Sequence, residues 1–248
     1  MPTRRRIDAE LVRRGLVSSR AAAVDAITDG RVTVNGAPVD RPARLVAPGD
    51  QLLVAAADIA YVARSGAKLQ AVFDTFPDRS PTGLRAVDCG SSTGGFTECL
   101  LRYGAASVCA IDVGTHQLHE RLRNDARVTV WEQTDIRAVD HRRIGAPFDL
   151  AVVDLSFISL LSVRDALLGL CSPGSGMILL VKPQFEVGKV EAARHRGVIR
   201  DDSLRAHARD RVIDAFVDAG CTTPRWIESP VAGSSGNREY LVDVVTPS

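Results

Sequence analysis

Lysine is scarce in this chain of 248 residues. Of the 31 basic residues, 28 are arginines, and the lysines are Lys68, Lys182 and Lys189. Because arginine does not deprotonate in proteins, any amine-based proton chemistry would have to use one of these three lysines. The formal net charge is only +1, which excludes a uniformly basic coat for nucleic acid but not a local basic patch.

Long apolar segments and paired cysteines are also missing. The longest apolar runs, Leu52–Ala57 and Met177–Val181, are far too short to span a bilayer. No apolar segment of a signal peptide follows the basic residues at the start of the sequence. The five cysteines include no CxxC pair, which favours reduced, buried thiols. We therefore expect a cytoplasmic protein with no membrane segment.

Residues 1–60 have the composition of a separate small module. Six arginines stand among the first twenty residues, against two acidic residues. Apolar spacing predicts two short amphipathic helices, with Ser18 or Ser19 as the N-cap of the second. The residues expected on their apolar faces are Ile7, Leu11, Ala21, Val24 and Ile27. The run Val32–Gly36 predicts a strand entering a turn, and Pro48–Asp50 predicts a second tight turn.

Residues 61–66 are predicted to form a linker, and residues 67–248 a larger domain. A helix is expected where Leu69, Val72 and Phe73 recur at helical spacing. From Leu84 onward, predicted strands and helices alternate, which indicates an α/β fold with a seven-stranded, mostly parallel, doubly wound sheet. The predicted strands are Leu84–Asp88, Ser107–Asp112, Val128–Trp131, Phe148–Asp154, Gly176–Val181, Pro224–Glu228 and Glu239–Val245. The predicted helices include Gly95–Arg102, Thr115–Arg123, Leu160–Leu170 and Asp202–Ala219.

A glycine-rich turn and three acidic residues follow successive predicted strands. Asp88 precedes a turn that lacks the lysine of a phosphate-binding loop and the spacing of a dinucleotide fingerprint. Asp112 could accept both hydroxyls of a ribose, and Asp135 lies at the tip of the next strand. The residues predicted to bind a cofactor here are Asp88, Gly90, Ser91, Ser92, Thr93, Gly94, Gly95, Phe96, Thr97, Asp112, Val113, Asp135, Ile136 and Asp154. An NAD site or ordinary turns are the alternatives.

Two charged residues directly follow the fourth and fifth predicted strands. Asp154 and Lys182 would therefore meet at the carboxyl edge of the sheet, where doubly wound folds bind ligands. Lys68 lies on the helix before the first strand, and Glu239 begins the last one. A surface position is the alternative for Lys68 and Glu239. Two of the three lysines, Lys68 and Lys182, could therefore face one pocket.

These motifs carry resemblances to known families. The run from Arg6 to Val54 resembles the S4 RNA-binding domain. The glycine-rich turn with Asp112 and Asp135 looks like the S-adenosylmethionine site of Rossmann-like class I methyltransferases. Lys68, Asp154, Lys182 and Glu239 resemble the K-D-K-E tetrad of FtsJ-like ribose 2′-O-methyltransferases. The resemblance implies that all four share one pocket, with Asp154 and Glu239 orienting the Lys182 amine. The NPPY signature of amino-group methylation is absent, and DLSF stands in its place.

The motifs STGGFT, DLSFISL, VKPQFEVGK and SPVAGSSGNREYLV make the whole chain similar to the TlyA family, also called hemolysin A. The resemblance implies S-adenosylmethionine-dependent 2′-O-methylation of cytidine in 16S and 23S ribosomal RNA. It also implies a link to capreomycin and viomycin susceptibility. The partner would be ribosomal RNA or ribosomal subunits, and the protein is expected to be a monomer. Phosphate contacts are expected from Arg4, Arg6, Arg20 and Arg64.

Other readings of the sequence remain open. An RNA-binding ribosome-assembly factor with a vestigial methyltransferase fold is one, and a membrane-lytic hemolysin is another. His116 and His119 have the spacing of metal ligands, but no further ligand is near them in sequence. We therefore expect no metal.

Overall fold

The computed structural model describes residues 4–17, 19–28, 30–54, 61–233 and 235–248, without the side chains of Asp25 and Lys189. Ser18 and Ser234, both within predicted motifs, lie outside the described residues. The chain divides into two compact units, residues 1–60 and 61–248. The predicted linker at residues 61–66 belongs to the second unit, and its last two residues begin a helix.

The first unit packs two helices against short strands. Its elements are β1 (Arg5–Arg6), α1 (Ile7–Arg13), α2 (Arg20–Thr28), β2 (Val32–Val34), β3 (Ala37–Pro38), β4 (Leu45–Val46) and β5 (Leu52–Val54). Strands β3, β2 and β5 form one antiparallel sheet, and β1 pairs with β4. Ser19 caps α2, because its Oγ accepts a hydrogen bond from the Ala22 amide at 3.1 Å.

The apolar face of α2 differs from the predicted one. Ala23, Ala26 and Ile27 are buried, whereas Ala21 and Val24 are exposed. The sequence AAAVDAI offers alanines on several faces, so apolar spacing alone does not select one of them.

The second unit is a seven-stranded sheet with helices on both faces. Its strands are β6 (Arg85–Cys89), β7 (Ser107–Ile111), β8 (Val128–Trp131), β9 (Phe148–Val153), β10 (Cys171–Val181), β11 (Thr222–Glu228) and β12 (Tyr240–Val245). They lie in the order β11-β12-β10-β9-β6-β7-β8. Strand β12 is antiparallel to both of its neighbours, and the pairs from β10 to β8 are parallel. The predicted mostly parallel sheet is therefore confirmed.

The helices of this unit cover two apolar clusters, one on each face of the sheet. They are α3 (Ser65–Thr75), α4 (Gly95–Arg102), α5 (Glu120–Arg123), α6 (His141–Ile144), α7 (Arg164–Leu168), α8 (Pro183–Glu186), α9 (Lys189–Arg194) and α10 (Asp202–Asp218). Short 3-10 turns occupy Pro77–Arg79 and Leu160–Ser162. The predicted helix Thr115–Arg123 is wrong before Glu120, because His116 adopts a left-handed backbone with φ of 52°.

Candidate active site

The carboxyl ends of β6, β9 and β10 open into a cavity of about 1000 Å³. Parallel strands place their carboxyl ends at one edge, so residues distant in sequence meet there. Lys68, Asp154, Lys182 and Glu239 all line this cavity. The four residues predicted to share one pocket therefore do so.

The two lysines form separate buried ion pairs. Lys182 Nζ lies 2.6 Å from Asp154 Oδ1 and donates a hydrogen bond to Ser156 Oγ at 2.8 Å. Lys68 Nζ donates to Glu239 Oε2 at 2.6 Å. Each lysine side chain is 10% exposed, and that of Glu239 is 2% exposed. Glu239 was expected to orient Lys182, but in the structure its carboxylate contacts Lys68 instead.

The loop before β12 is shaped around the Glu239 carboxylate. A Cβ atom on Gly233 would collide with Glu239 Oε1. Asn237 is 1% exposed, accepts from the Ile199 amide at 2.9 Å, and donates to the Gly197 carbonyl at 2.8 Å. These contacts tie the loop to the segment after α9, which forms another wall of the cavity. The position of Glu239 is therefore set by packing and not only by Lys68.

The glycine-rich turn after β6 passes directly beside Asp154. Gly90 has φ of +88°, and a Cβ there would stand 2.5 Å from the Asp154 carbonyl oxygen. Gly94, the N-cap residue of α4, has a left-handed conformation with φ of 100°. Both glycines are thus required by backbone geometry and close approach. Of the predicted turn residues, the cavity is lined by Gly90, Ser91, Ser92, Thr93 and Phe96.

Asp88 lies beneath the turn and is fully buried. Its Oδ2 accepts a hydrogen bond from Thr97 Oγ1 at 2.6 Å, while Oδ1 has no partner among the described residues. Burial raises the pKa of Asp88 to about 7, although the Thr97 hydrogen bond opposes the shift. An unpartnered buried carboxyl oxygen is costly and typical of a site that completes its hydrogen bonds with a ligand or water.

Asp112 stands at the tip of β7, next to the glycine-rich turn. Its Oδ2 accepts from the Ser92 amide at 2.8 Å, and its Oδ1 accepts from the Gly114 amide at 2.7 Å. Each carboxylate oxygen keeps acceptor capacity, so two neighbouring hydroxyls could still bind. The adjacent Val113 is 72% exposed, which leaves an apolar surface beside the carboxylate. This pairing suits a ribose with an attached aromatic base.

Asp135, the third acidic residue predicted to bind a cofactor, forms an ion pair with the neighbouring Arg137. Asp135 accepts from Arg137 Nε at 3.0 Å and from Nη2 at 2.5 Å. Hydrogen bonds from Arg137 lower the pKa of Asp135 to about 2. Ile136 is buried at 6% exposure and packs in the apolar core below. To contact a cofactor, Asp135 would therefore have to share its carboxylate with Arg137.

An aromatic pair at the cavity was missed by the sequence reasoning. Phe157 is 92% exposed in a left-handed backbone with φ of 64°, and its ring centroid lies 5.4 Å from that of Phe185. Both line the cavity, each three residues beyond a member of the Asp154–Lys182 ion pair. An exposed aromatic side chain on strained backbone is uncommon and indicates a functional constraint. Their places in DLSF and VKPQF were the available signal.

The arginines predicted to contact RNA have several environments. Arg6 and Arg20 both bind the buried carboxylate of Asp8, with Nη2–Oδ2 distances of 2.9 Å. Arg4 is exposed in the same unit. Arg64 is exposed at the start of α3 and lines the cavity of the larger unit.

The described residues contain no helix long and apolar enough to cross a membrane. Within the same residues, no three His, Cys, Asp or Glu side chains are grouped closely enough to hold a metal ion. His119 instead caps α5, accepting from the Arg121 amide at 3.2 Å.

The sheet order, the glycine-rich turn and the acidic residue after β7 define a class I methyltransferase fold. A family model described as FtsJ-like methyltransferase matches residues 61–244, and one described as S4 domain matches residues 5–52. The chain therefore belongs to the FtsJ-like methyltransferase family, with an S4 domain at its N-terminal end.

Relatives align over nearly the whole chain. It is 44% identical over 243 residues to the 16S/23S rRNA (cytidine-2′-O)-methyltransferase TlyA of Mycobacterium tuberculosis, covering 98% of this chain and 90% of the relative. It is 35% identical to Hemolysin A of Brachyspira hyodysenteriae, covering 97% and 99%. The structure matches a candidate hemolysin from Streptococcus thermophilus with a TM-score of 0.73 at 33% identity, covering 100% and 90%. These matches confirm the resemblance to the TlyA family.

Proposed function

We propose that this chain transfers a methyl group from S-adenosylmethionine to the ribose 2′-oxygen of cytidine in 16S and 23S ribosomal RNA. The observation that carries the proposal is the pair of lysine–carboxylate contacts, each 2.6 Å long, in one cavity. Relatives that share 44% of the sequence are named for this reaction. Because one chain contains all four residues, a monomer suffices.

The residues at the strand tips fit S-adenosylmethionine. Asp112 would accept the ribose hydroxyls, and Val113 would pack against the adenine. The glycine-rich turn at Gly90 would let the ligand approach the backbone closely, and Asp88 beneath it would hold a hydrogen bond to the ligand or to a water. When bound, S-adenosylmethionine supplies a methyl group on a positively charged sulfur.

Lys182 is the residue we assign to the ribose hydroxyl. A 2′-hydroxyl is a weak nucleophile, and its proton must leave as the oxygen bonds to the methyl carbon. The ion pair with Asp154 at 2.6 Å is the ammonium form of Lys182. Once this form has released a proton to solvent, the amine would take the hydroxyl proton on Nζ and return to the same ion pair. Ser156 Oγ, which accepts a hydrogen bond from the same Nζ, would fix the orientation of the Lys182 amino group. Orientation of the hydroxyl supplies a further share of the rate.

Lys68 would bind the RNA backbone in the same cavity. Its contact with Glu239 keeps the ammonium in place while its other N–H groups remain available for a phosphate or a ribose oxygen. The aromatic pair Phe157 and Phe185 would stack against the target base or its neighbour, as aromatic side chains do for unpaired RNA bases. Arg64 would bind a phosphate at the cavity rim.

Residues 1–60 are proposed to be the RNA-docking domain, with residues 67–248 as the catalytic domain. The S4 match over residues 5–52 supports this assignment. Folded RNA is recognised largely by shape and phosphate contacts, which suits the arginines of this unit. A ribosomal substrate would place the protein in the cytoplasm.

A methyl-transfer assay tests the proposal. Purified full-length protein is incubated with tritiated S-adenosylmethionine and with 30S or 50S subunits that lack the modification, and the RNA is digested to nucleosides. The expected product is 2′-O-methylcytidine. No incorporation would favour an assembly factor with a vestigial fold, and methyl groups on the base would contradict the assignment of Lys182.

Two consequences of the family resemblance can be checked beside this assay. Deletion of the gene should reduce susceptibility to capreomycin and viomycin, measured as minimum inhibitory concentrations. Membrane lysis, the activity that the name of one relative suggests, would appear as dye leakage from liposomes incubated with the pure protein.

A further inference from the structure

A buried carboxylate in the N-terminal unit joins two exposed arginines. The Asp8 side chain is 3% exposed, whereas those of Arg6 and Arg20 are 51% and 63% exposed. Arg6 donates from Nε to Oδ1 at 3.2 Å and from Nη2 to Oδ2 at 2.9 Å. Arg20 donates from Nη2 to the same Oδ2 at 2.9 Å, and the Ala9 amide donates to Oδ1 at 2.8 Å.

The shared oxygen brings two like charges together. Each guanidinium lies within hydrogen-bond distance of Oδ2, so the two cations are close neighbours and would repel without the carboxylate between them. The hydrogen bond from Arg6, followed by that from Arg20, lowers the pKa of Asp8 to about 2. The group therefore carries two positive charges and one negative charge at neutral pH, a net charge of +1 on an exposed surface.

The arrangement leaves donors for a second anion. A guanidinium has five N–H groups, and the contacts to Asp8 use two of those on Arg6 and one on Arg20. Arginine pairs are suited to phosphate, whose oxygens accept several N–H groups at once. An RNA phosphodiester would complete the charge balance of the group.

A second cluster of one acidic residue and two arginines lies on the same helix, and one of its arginines has a structural role. Glu10 pairs with Arg13 and Arg14, and Arg14 also donates to the backbone carbonyl of Asp50 at 2.7 Å. Arg14 is only 22% exposed, so its contacts hold the domain together. Glu10 is as buried as Asp8 and Arg13 is 53% exposed, so the Glu10 group presents one exposed arginine, whereas both arginines on Asp8 are more than half exposed.

We propose that Asp8 is a positioning residue that holds Arg6 and Arg20 as a two-armed clamp for one RNA phosphate. This proposal rests on the proposed RNA substrate and adds an acidic residue to its recognition. The predicted effect on RNA affinity is opposite to the effect expected from net charge alone. Removing the negative charge of Asp8 makes the protein more cationic, yet the clamp requires that RNA binding become weaker.

The experiment compares Asp8→Asn with Asp40→Asn in the full chain. Asp40 is an exposed acid of the same unit, 4.0 Å from Arg41, and its side chain is 88% exposed. Both substitutions raise the net charge by one. Affinity for ribosomal RNA is measured by fluorescence anisotropy over a range of salt concentrations, and thermal unfolding by circular dichroism establishes that each variant is folded.

The clamp predicts that Asp8→Asn binds RNA about tenfold more weakly, with a log K against log salt slope shallower by about 1. Asp40→Asn should bind as well as the wild type or slightly better. Equal or tighter binding by folded Asp8→Asn would overturn the clamp. If the wild type binds no ribosomal RNA, the proposed substrate fails together with it.

A second comparison does not depend on the Asp8 variant folding. Arg6→Met and Arg20→Met alter exposed side chains, and Arg41→Met, at an 85% exposed arginine, removes the same charge elsewhere. The clamp predicts that each of the first two weakens binding several-fold more than Arg41→Met. It also predicts that the Arg6→Met/Arg20→Met double variant loses much less than the product of the single losses. Independent, multiplicative effects would overturn it.

Discussion

At the scale of single residues, the candidate site is built from charges that are expensive to bury alone. Lys68 Nζ and Glu239 Oε2 form an ion pair of 2.6 Å, and both side chains are almost fully buried. A buried ion pair gives little net stability, but removing one partner leaves an uncompensated charge. Such a pair is weak evidence for a stabilising role and better evidence for a function that needs charge at that place.

Substitutions of this pair should separate stability from activity. Glu239→Gln should lower the free energy of unfolding by about 3 kcal/mol, because Lys68 loses its counter-charge. The double variant Lys68→Met/Glu239→Leu should recover stability to within about 1 kcal/mol of the wild type but remain inactive. Chemical unfolding and methyl transfer are the measurements. Restored activity in the double variant would show that the pair is only structural.

Asp88 gives a stability prediction that depends on pH. Its pKa in the folded protein is about 7, raised by burial, against an ordinary value near 3.8. The folded state therefore binds this proton more tightly, and the stabilising contribution present below pH 4 is lost as pH rises to 7. From pH 4 to 8 the wild type should lose about 4 kcal/mol of unfolding free energy relative to Asp88→Asn. Parallel stability profiles of the two proteins would contradict this.

At the scale of elements, strands were more predictable than the loops that join them. The apolar runs and their alternation with helices located all seven strands of the large sheet, and with them the edge where Asp154 and Lys182 meet. Helices α6, α8 and α9 have four to six residues, too few to show a helical period. Which lysine meets which carboxylate depends on the path of the loop before β12. Strand spacing does not encode that path.

The glycine-rich turn offers a matched test at this scale. In Gly90→Ala, the new Cβ would stand 2.5 Å from the Asp154 carbonyl oxygen, on backbone with φ of +88°. We expect a loss of about 3 kcal/mol of stability and at least tenfold weaker binding of S-adenosylmethionine. Gly174→Ala has φ of +72° but open space around the Cβ, so only backbone strain of about 1 kcal/mol should follow. Calorimetric binding and thermal unfolding compare the two; equal effects on cofactor binding would contradict the account.

At the scale of the whole molecule, the proposed RNA-docking unit and the proposed catalytic unit differ in their charged residues. The formal net charge of +1 hides a local excess of arginine in the first unit and a lysine-containing cavity in the second. The family resemblance is visible in motifs at strand ends and turns, where the chemistry is constrained. The contact of Asp8 with Arg20 and the pairing of Phe157 with Phe185 depend on tertiary packing, so sequence spacing did not reveal them.

Binding and chemistry should respond to salt in different ways. Affinity for ribosomal RNA should fall steeply as salt rises, because phosphate contacts release counterions. The rate of methyl transfer within the bound complex should change little, since the reacting groups are buried. Single-turnover kinetics at saturating enzyme separate the two quantities. A bound-state rate that falls as steeply as the affinity would place the chemistry at a solvent-exposed site.

The central claim is that Lys182 acts on the ribose hydroxyl beside the methyl donor. The most direct measurement is the single-turnover rate of Lys182→Ala, with Arg127→Ala, a surface variant 47% exposed, as control. General base catalysis typically contributes 10²–10⁴-fold, so the rate should fall at least about a hundredfold. Calorimetry should show binding of S-adenosylmethionine within about threefold of the wild type. A Lys182→Ala rate close to that of the wild type, at saturating RNA and cofactor, would contradict the account.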